Sequence, residues 1–387
     1  MIESVRITGY RGLRDLSMEG LGRINLLVGK NNSGKTSVLE ALYLMAARAD
    51  SAAIGQVLSR RGEQVVETPG PGQASHIEVD ICHLFHGHVL DVGTKTTIQT
   101  WNGTRHFLTF EISEVKYEVD PELFIKLKAR QGRELGIISS ANPALLGPCH
   151  VVSITGDPEP STPAFPLSRR GGLQQDPMLM NDAGEMRNER FPRFITTDSL
   201  SVQEIQAEFS RIALSPREER VIRALQFIEP KIERMAIANT APFSGLGKPI
   251  RGGLKVRLSG QDEPVPIGSL GEGIWRLMTL AMVISGMKEG LLLIDEIDTG
   301  LHYTVLEKMW TFIADAAKEF NVQVFATTHS ADCVNSLAAV CRADTKIGSQ
   351  VTIQRIEAEE ACAVAYDEAE IVTLARMASA RKGIEVR

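Results

Sequence analysis

Gly29-Lys30-Asn31-Asn32-Ser33-Gly34-Lys35-Thr36, followed by Ser37, fits the pattern G-x-x-x-x-G-K-[ST] at every fixed position. Its flanks fit as well. Upstream, Ile24-Asn25-Leu26-Leu27-Val28 is a short apolar run suited to a buried parallel strand, and downstream Ser37 to Met45 has helical composition. Strand, glycine loop and helix N-terminus together make an anion site, because backbone N–H groups and the helix dipole face the phosphates. In this reading Lys35 neutralises the β- and γ-phosphates of a nucleoside triphosphate, and the Thr36 hydroxyl ligates Mg²⁺.

Composition bounds the rest. A chain of 387 residues holds two or three domain-sized units, or one large α/β domain with insertions. The 43% hydrophobic content is enough for a sizeable core. A net charge of −6 gives no global pull toward nucleic acid, so such a contact would need a local basic patch. No apolar run reaches the length of a membrane span, and the first residues lack the layout of a signal peptide. The five cysteines are odd in number and without C-x-x-C spacing, which reads as reduced thiols in a cytoplasmic protein.

Along the chain, residues 1–20 read as two strands turning at Arg11-Gly12, with Arg11 and Arg14 near the nucleotide pocket as either phosphate contacts or solvated charge. After Pro69-Gly70-Pro71-Gly72 comes a β-rich stretch, with strands at 77–81, 96–101 and 107–112 and a hairpin turn at Asn102-Gly103. Residues 120–137 are expected to form one helix, and 156–190, rich in Pro, Gly, Asn and Asp, to be loops or partly disordered. A strand at 192–196 precedes helices at 201–211 and 216–227, the second opening with Ser215 and Pro216. No sustained heptad and no internal repeat is visible. Cys82-His83-Leu84-Phe85-His86-Gly87-His88 is the one metal-like cluster; with no obvious fourth ligand it reads as a solvated turn.

The second half supplies the partners of the phosphate loop. Leu291-Leu292-Leu293-Ile294 is an apolar strand ending in Asp295-Glu296, where Asp295 can hold the Mg²⁺ shell and Glu296 can deprotonate a water. The next strand, 322–328, delivers His329 at the edge where α/β sheets bind ligands. Upstream, Ser269, Gly271 and Gly273 open the helix 274–285 and form a second anion nest. One nucleotide does not need two nests, so this one is expected to cap the γ-phosphate held by a second copy.

Phosphate loop, Ser269-Leu270-Gly271-Glu272, Asp295-Glu296, Asp298-Thr299-Gly300-Leu301-His302 and Thr327-Thr328-His329-Ser330 stand in the order of an ABC-type ATPase head. The chain resembles the soluble branch, the SMC, RecF and overcoming-lysogenization-defect (OLD) ATPases, and within it the compact AAA-family ATP-binding proteins of prokaryotic genome maintenance and phage defence. The resemblance covers both ends and is weakest between 50 and 190. It implies an α/β P-loop NTPase fold: an ABC-type head with a mixed sheet, an inserted antiparallel β lobe and a helical lobe. Residues 1–50 and 266–387 are then the two parts of the head, 51–190 the β lobe with loops, and 191–265 the helical lobe with a hairpin. It also implies roles: Gly29, Asn31, Asn32, Ser33, Gly34, Lys35, Thr36 and Ser37 as the Walker A loop, and Ser269, Gly271 and Glu272 as the signature. Asp295 and Glu296 become the Walker B pair, Asp298 the D-loop and His329 the switch histidine, with ATP and Mg²⁺ as cofactors.

Two departures stand out. Leu270 replaces the first glycine of the family's Ser-Gly-Gly, and no glutamine is clearly placed for the Q-loop, Gln203 and Gln206 being weak candidates. The chain after His329 is short, a hairpin at 351–366 and a helix from Glu368, and is expected to lack the Toprim nuclease of OLD proteins. The expected function is an ATP-hydrolysing assembly switch, a head-to-tail dimer or larger oligomer that controls a separate nuclease or toxin in anti-phage defence. The alternative is a RecF-like ATPase of DNA repair, with DNA as partner through Lys248, Arg251, Lys255 and Arg257.

Overall fold

The computed structural model describes residues 1–66, 77–119, 124–129, 134–139, 149–160, 164–167, 172–174, 192–198, 200–238, 253–358 and 360–373. The chain opens with the expected hairpin: β1 (Ser4–Tyr10) and β2 (Leu13–Met18) pair antiparallel, Val5 opposite Met18 and Tyr10 opposite Leu13. β3 (Ile24–Val28) follows and leads through the glycine loop into α1 (Lys35–Ala46). Then comes α2 (Ser51–Ser59), whose first turn is capped by the Asp50 side chain accepting from Ala52 N.

The β-rich stretch contributes β4 (Gln64–Val66), β5 (Ile77–Asp80), β6 (Lys95–Trp101), β7 (Arg105–Val119), β8 (Phe124–Ala129), β9 (Glu134–Ser139), β10 (Cys149–Asp157), β11 (Ala164–Pro166) and β12 (Gly172–Gln174). The Asn102-Gly103 turn joins β6 to β7, with Gly103 at φ 88°. Strands β11-β10-β7-β6-β1-β2 form one antiparallel sheet, extended by β8 and β9, while β12-β5-β4 form a smaller one.

Where a helix was expected over 120–137, the described residues 124–129 and 134–137 lie in strands. The far half of β7 offers an edge on which β8 pairs, Val115 opposite Ala129, and β9 adds to β8. The β-branched and aromatic residues of 124–138 suit that pairing, which outweighs local helix propensity. In 156–190 β11 and β12 are formed; the rest beyond 160, apart from Leu167, lies outside the described residues, as do 69–72.

The second sheet holds the core. After β13 (Arg193–Ile195) come α3 (Val202–Ile212) and α4 (Pro216–Leu225), then β14 (Ile232–Ile237), β15 (Leu254–Leu258) and β16 (Val265–Pro266). Ser201 and Glu204 form a capping box on α3, and Ser215 caps α4. α5 (Glu272–Gly286), β17 (Gly290–Ile294), α6 (Tyr303–Glu319), β18 (Val322–Thr327), α7 (Ala331–Ala343), β19 (Val351–Arg355) and β20 (Val364–Tyr366) complete the order, with helix again at 368–373. The sheet runs β13-β17-β18-β3-β19-β20, parallel except for β20.

Both faces of this sheet are covered, which is why its strands are apolar runs rather than alternating ones. On β3, Ile24, Leu26 and Val28 pack into one cluster with α5, α6 and α7, and Leu27 into the other, with α1, α2 and the β lobe. On β17, Leu292 and Ile294 face the first cluster and Leu291 and Leu293 the second. Among the described residues no helix is long and apolar enough to cross a membrane.

Arg11 does not reach the nucleotide loop. It is buried and pairs with Glu40 of α1 at 2.7 Å and with Glu63 at 2.6 Å, while Arg61 holds the other Glu40 oxygen at 2.6 Å. Arg14, by contrast, is exposed. Burial pushes the Glu40 carboxyl up, and Arg11 and Arg61 pull it back down. Arg11→Ala should therefore cost about 3 kcal/mol of unfolding free energy in chemical denaturation, since Glu40 stays buried beside one cation. Arg6→Ala, at the exposed pair with Asp15, should leave the denaturation midpoint unchanged.

Candidate nucleotide site

The strand order puts the C-terminal ends of β17, β18 and β3 side by side, and three polar segments leave the sheet there. The first is the loop 29–34. Gly29 has φ 146° and Gly34 φ 96°; a Cβ on Gly29 would stand 2.2 Å from the Ile356 carbonyl oxygen, and one on Gly34 2.5 Å from Leu13. Only glycine fits either position. Gly34 is the N-cap of α1 and no side chain caps the helix, so its first N–H groups are free to face an anion. Lys35 is buried, its Nζ donating to the carbonyls of Gly29 and Lys30 at 2.8 Å each. Burial lowers its pKa, while Asp295 and Glu296 raise it. Asn31 and Asn32 are exposed, and Ser37 is buried at the start of α1.

Ser33 tests whether the loop fits a phosphate. Its hydroxyl oxygen is buried and has no hydrogen-bond partner among the described residues. A buried hydroxyl without a partner costs about 1–3 kcal/mol, and a phosphate oxygen is an acceptor of the right kind. The loop fits the group.

The second segment is Asp295-Glu296. Thr36 Oγ1 donates to Asp295 Oδ1 at 3.0 Å, and Thr327 Oγ1 donates to the same oxygen at 2.7 Å. Thr36 and Asp295 are thus a pair of hard oxygens suited to Mg²⁺. Glu296 sits at φ 45°, in the left-handed region. That backbone is held from both sides: Glu296 N donates to Thr327 Oγ1 at 2.8 Å, and the guanidinium of Arg276 donates to the carbonyls of Asp295 at 2.6 Å and Glu296 at 2.9 Å. Thr299 Oγ1 donates to Glu296 Oε2 at 3.2 Å.

The third is Thr328-His329. His329 is exposed, its Nε2 3.8 Å from Glu296 Oε1, and Thr328 Oγ1 donates to Asp298 at 2.7 Å. The structure therefore gathers Lys35, Thr36, Asp295, Glu296 and His329 on one edge. Thr327 and Arg276, which fix the carboxylates, escape sequence reading; the Thr327-Thr328 pair beside His329 was the only local signal. Burial pushes the Arg276 guanidinium down to about 10 against Asp295, Asp298 and Glu296, leaving it charged at neutral pH.

Ser269, Gly271 and Glu272 stand exposed at the start of α5. Glu272 packs beside Gly300, where a Cβ would meet its Cγ at 2.5 Å. Leu270 packs against the core, which gives the residue replacing a glycine a structural use. Gln206 donates to the carbonyls of Ala238 and Gly253 within the helical lobe, and Gln203 is exposed on α3. At the end of β13 it is Thr197 and Asp198 that stand exposed.

A glycine loop into a helix, an acid pair on a neighbouring parallel strand and a histidine on the strand between define an ABC-type P-loop ATPase head. The chain belongs to the AAA ATPase domain family, which matches residues 1–133 and 187–334. It is 22% identical to an ATP/GTP phosphatase of Helicobacter pylori over 88% of this chain and 89% of that protein. A shorter stretch is 38% identical over 45 residues to the DNA replication and repair protein RecF of Clostridioides difficile, 12% of each chain. Among solved structures, an SMC head bound to the C-terminal winged-helix domain of ScpA aligns at 12% identity and TM-score 0.48, over 95% of this chain and 98% of that one. Lys35→Ala is expected to weaken ATP binding at least a hundredfold, because the phosphates lose their buried counter-ion; titration of a fluorescent ATP analogue measures it.

Proposed function

We propose that the chain binds ATP with Mg²⁺ and hydrolyses it as a nucleotide-dependent assembly switch in the cytosol. Two chains close head to tail, and the assembly controls a separate effector, a nuclease or toxin, in anti-phage defence. The carrying observation is the division of the surface. Lys35, Thr36, Asp295, Glu296 and His329 share one sheet edge, while Ser269, Gly271 and Glu272 stand exposed at the start of α5. The similarity to an ATP/GTP phosphatase supports hydrolysis, and the resemblance to defence ATPases supports the effector.

In this mechanism Lys35 leaves the Gly29 and Lys30 carbonyls and neutralises the β- and γ-phosphates. The N–H groups of Gly34 to Ser37 and the Ser33 hydroxyl complete the cradle. Thr36 and Asp295 would hold Mg²⁺, which when bound would neutralise phosphate charge. Glu296 accepts the proton of the attacking water, positioned by Thr299 and its clamped backbone. His329 hydrogen-bonds the γ-phosphate beside Glu296. Ser269, Gly271 and Glu272 close the partner's γ-phosphate, and Asp298 accepts from Thr328, next to His329.

Glu296→Gln should keep wild-type ATP affinity and lose at least a hundredfold in turnover. It should accumulate the closed assembly in size-exclusion chromatography with ATP. Turnover within threefold of wild type in a phosphate-release assay excludes Glu296 as base. The same trapped protein separates a second reading, a RecF-like DNA clamp, which is favoured by Lys255 and Arg257 exposed together on β15. Salt-sensitive, ATP-dependent binding of duplex DNA by fluorescence anisotropy supports the clamp. Capture of a nuclease or toxin with ATP supports the switch. Lys248 and Arg251 lie outside the described residues.

The composite site has its own test. Ser269→Arg should bind ATP but not hydrolyse it, and mixing it with Lys35→Ala should restore activity. Each mixed pair keeps one interface with an intact loop and an intact signature, worth up to about half a wild-type pair. A Ser269→Arg protein that stays monomeric with ATP and turns over at the wild-type rate puts all the chemistry in one chain.

A further inference from the structure

The Cys82–His88 segment, far along the chain from the nucleotide residues, is built more rigidly than a solvated turn requires. Asp80 ends β5, and its Oδ1 accepts from Cys82 N at 3.0 Å, starting a 3₁₀ turn over Ile81–Leu84. A second turn covers His86–His88, with Gly87 at φ 78° and His88 at φ 57°. A histidine in the left-handed region is uncommon, and here that backbone swings its ring back over His83, the ring centroids lying 4.9 Å apart. The segment is fastened on both sides. Ile81, Leu84 and Phe85 are fully buried, Arg11 N donates to the Leu84 carbonyl, and His86 Nδ1 bonds the Arg11 carbonyl oxygen at 2.8 Å.

These constraints converge three donor atoms. Cys82 Sγ and one ring nitrogen each of His83 and His88 all lie within 4.8 Å of one another. His83 Nδ1 and His88 Nδ1 are 3.2 Å apart. Two nitrogens on a tetrahedral ion at about 2.05 Å stand about 3.3 Å apart, so this spacing is that of adjacent zinc ligands. Behind His83, its Nε2 faces Asp80 Oδ2 at 3.7 Å. A carboxylate on the far nitrogen of a ligating histidine is the usual second shell that fixes its tautomer.

We propose that Cys82, His83 and His88 form a binding site for a zinc-class divalent ion, with Asp80 orienting His83. A thiolate with two imidazoles selects Zn²⁺ or Co²⁺ over Mg²⁺ and Ca²⁺, so this site does not compete with Thr36 and Asp295 for the same metal. Three protein ligands leave the fourth position to water.

The test is Co²⁺ titration of the untagged full chain, followed through the thiolate-to-cobalt charge-transfer band. One Co²⁺ per chain is expected, displaced by Zn²⁺. Cys82→Ser should remove the band, His88→Asn should weaken binding at least tenfold, and Asp80→Asn, which still caps the turn, should weaken it about tenfold. His106→Asn, in another hairpin, is the unaffected control. Independently, Zn²⁺ should slow alkylation of Cys82 at least tenfold in wild type by mass spectrometry, leaving exposed Cys362 unprotected. No charge-transfer band in wild type, or equal alkylation of Cys82 with and without Zn²⁺, overturns the site.

Discussion

Thr36 and Asp295 are 259 positions apart in the chain, and one hydrogen bond of 3.0 Å joins them. The site depends on that closure. It requires the loop after β3 and the end of β17 to lie at one level of one sheet, with β18 inserted between them. The registers Leu293 opposite Phe325 and Phe325 opposite Asn25 deliver this. A shift of one residue would turn Leu292 and Ile294 toward the wrong cluster and withdraw Asp295 from Thr36 together. The apolar packing that fixes the register is therefore also what aligns the chemistry, although no apolar residue takes part in it.

Charge is buried on both sides of this sheet and satisfied in different ways. On the α1 face, Arg11, Glu40, Arg61 and Glu63 neutralise one another and bind the β hairpin to the helix that carries Lys35. On the α5 face, Arg276 spends its guanidinium on backbone carbonyls at the ends of β13 and β17. Lys35, like Arg276, rests on backbone carbonyls, but those of its own loop, beside the uncapped start of α1. Its direct hydrogen-bond partners are neutral, and the Asp295 and Glu296 carboxylates act on it from the neighbouring strand end.

What the sequence revealed follows from where the information sits. The phosphate loop is contiguous, and its glycines are needed for backbone reasons that any fold of this kind shares, so Gly29, Gly34, Lys35 and Thr36 could be read directly. Asp295-Glu296 was legible because a carboxylate pair at the end of an apolar run has no packing use. Arg276 and Thr327 were not, because an arginine within a helix and a threonine within a strand look ordinary until tertiary structure brings them to the Glu296 backbone. Residues 120–137 misled for a related reason: local composition suits a helix, but the open edge of β7 decides. Arg11 read as either a phosphate contact or solvated charge, and is neither, because Glu40 and Glu63, its partners, are dozens of residues away.

The position of Glu296 links these levels to the proposed assembly. Its left-handed backbone persists because Thr327 holds the amide and Arg276 holds the carbonyl. Arg276 lies one turn along α5 from Glu272, and Glu272 packs against Gly300, in the loop that also supplies Thr299 to the Glu296 carboxylate. The exposed start of α5 and the clamped carboxylate are therefore parts of one packed unit, not two sites joined by a flexible segment. A second copy pressing on 269–273 would act on the helix that positions Glu296 in the first copy, while closing its own phosphate loop. In the proposed assembly the Glu296 carboxylate would respond to the second copy through α5, while Lys35 and Thr36 stand on α1 in the opposite layer, with Thr36 tied to that strand end through Asp295.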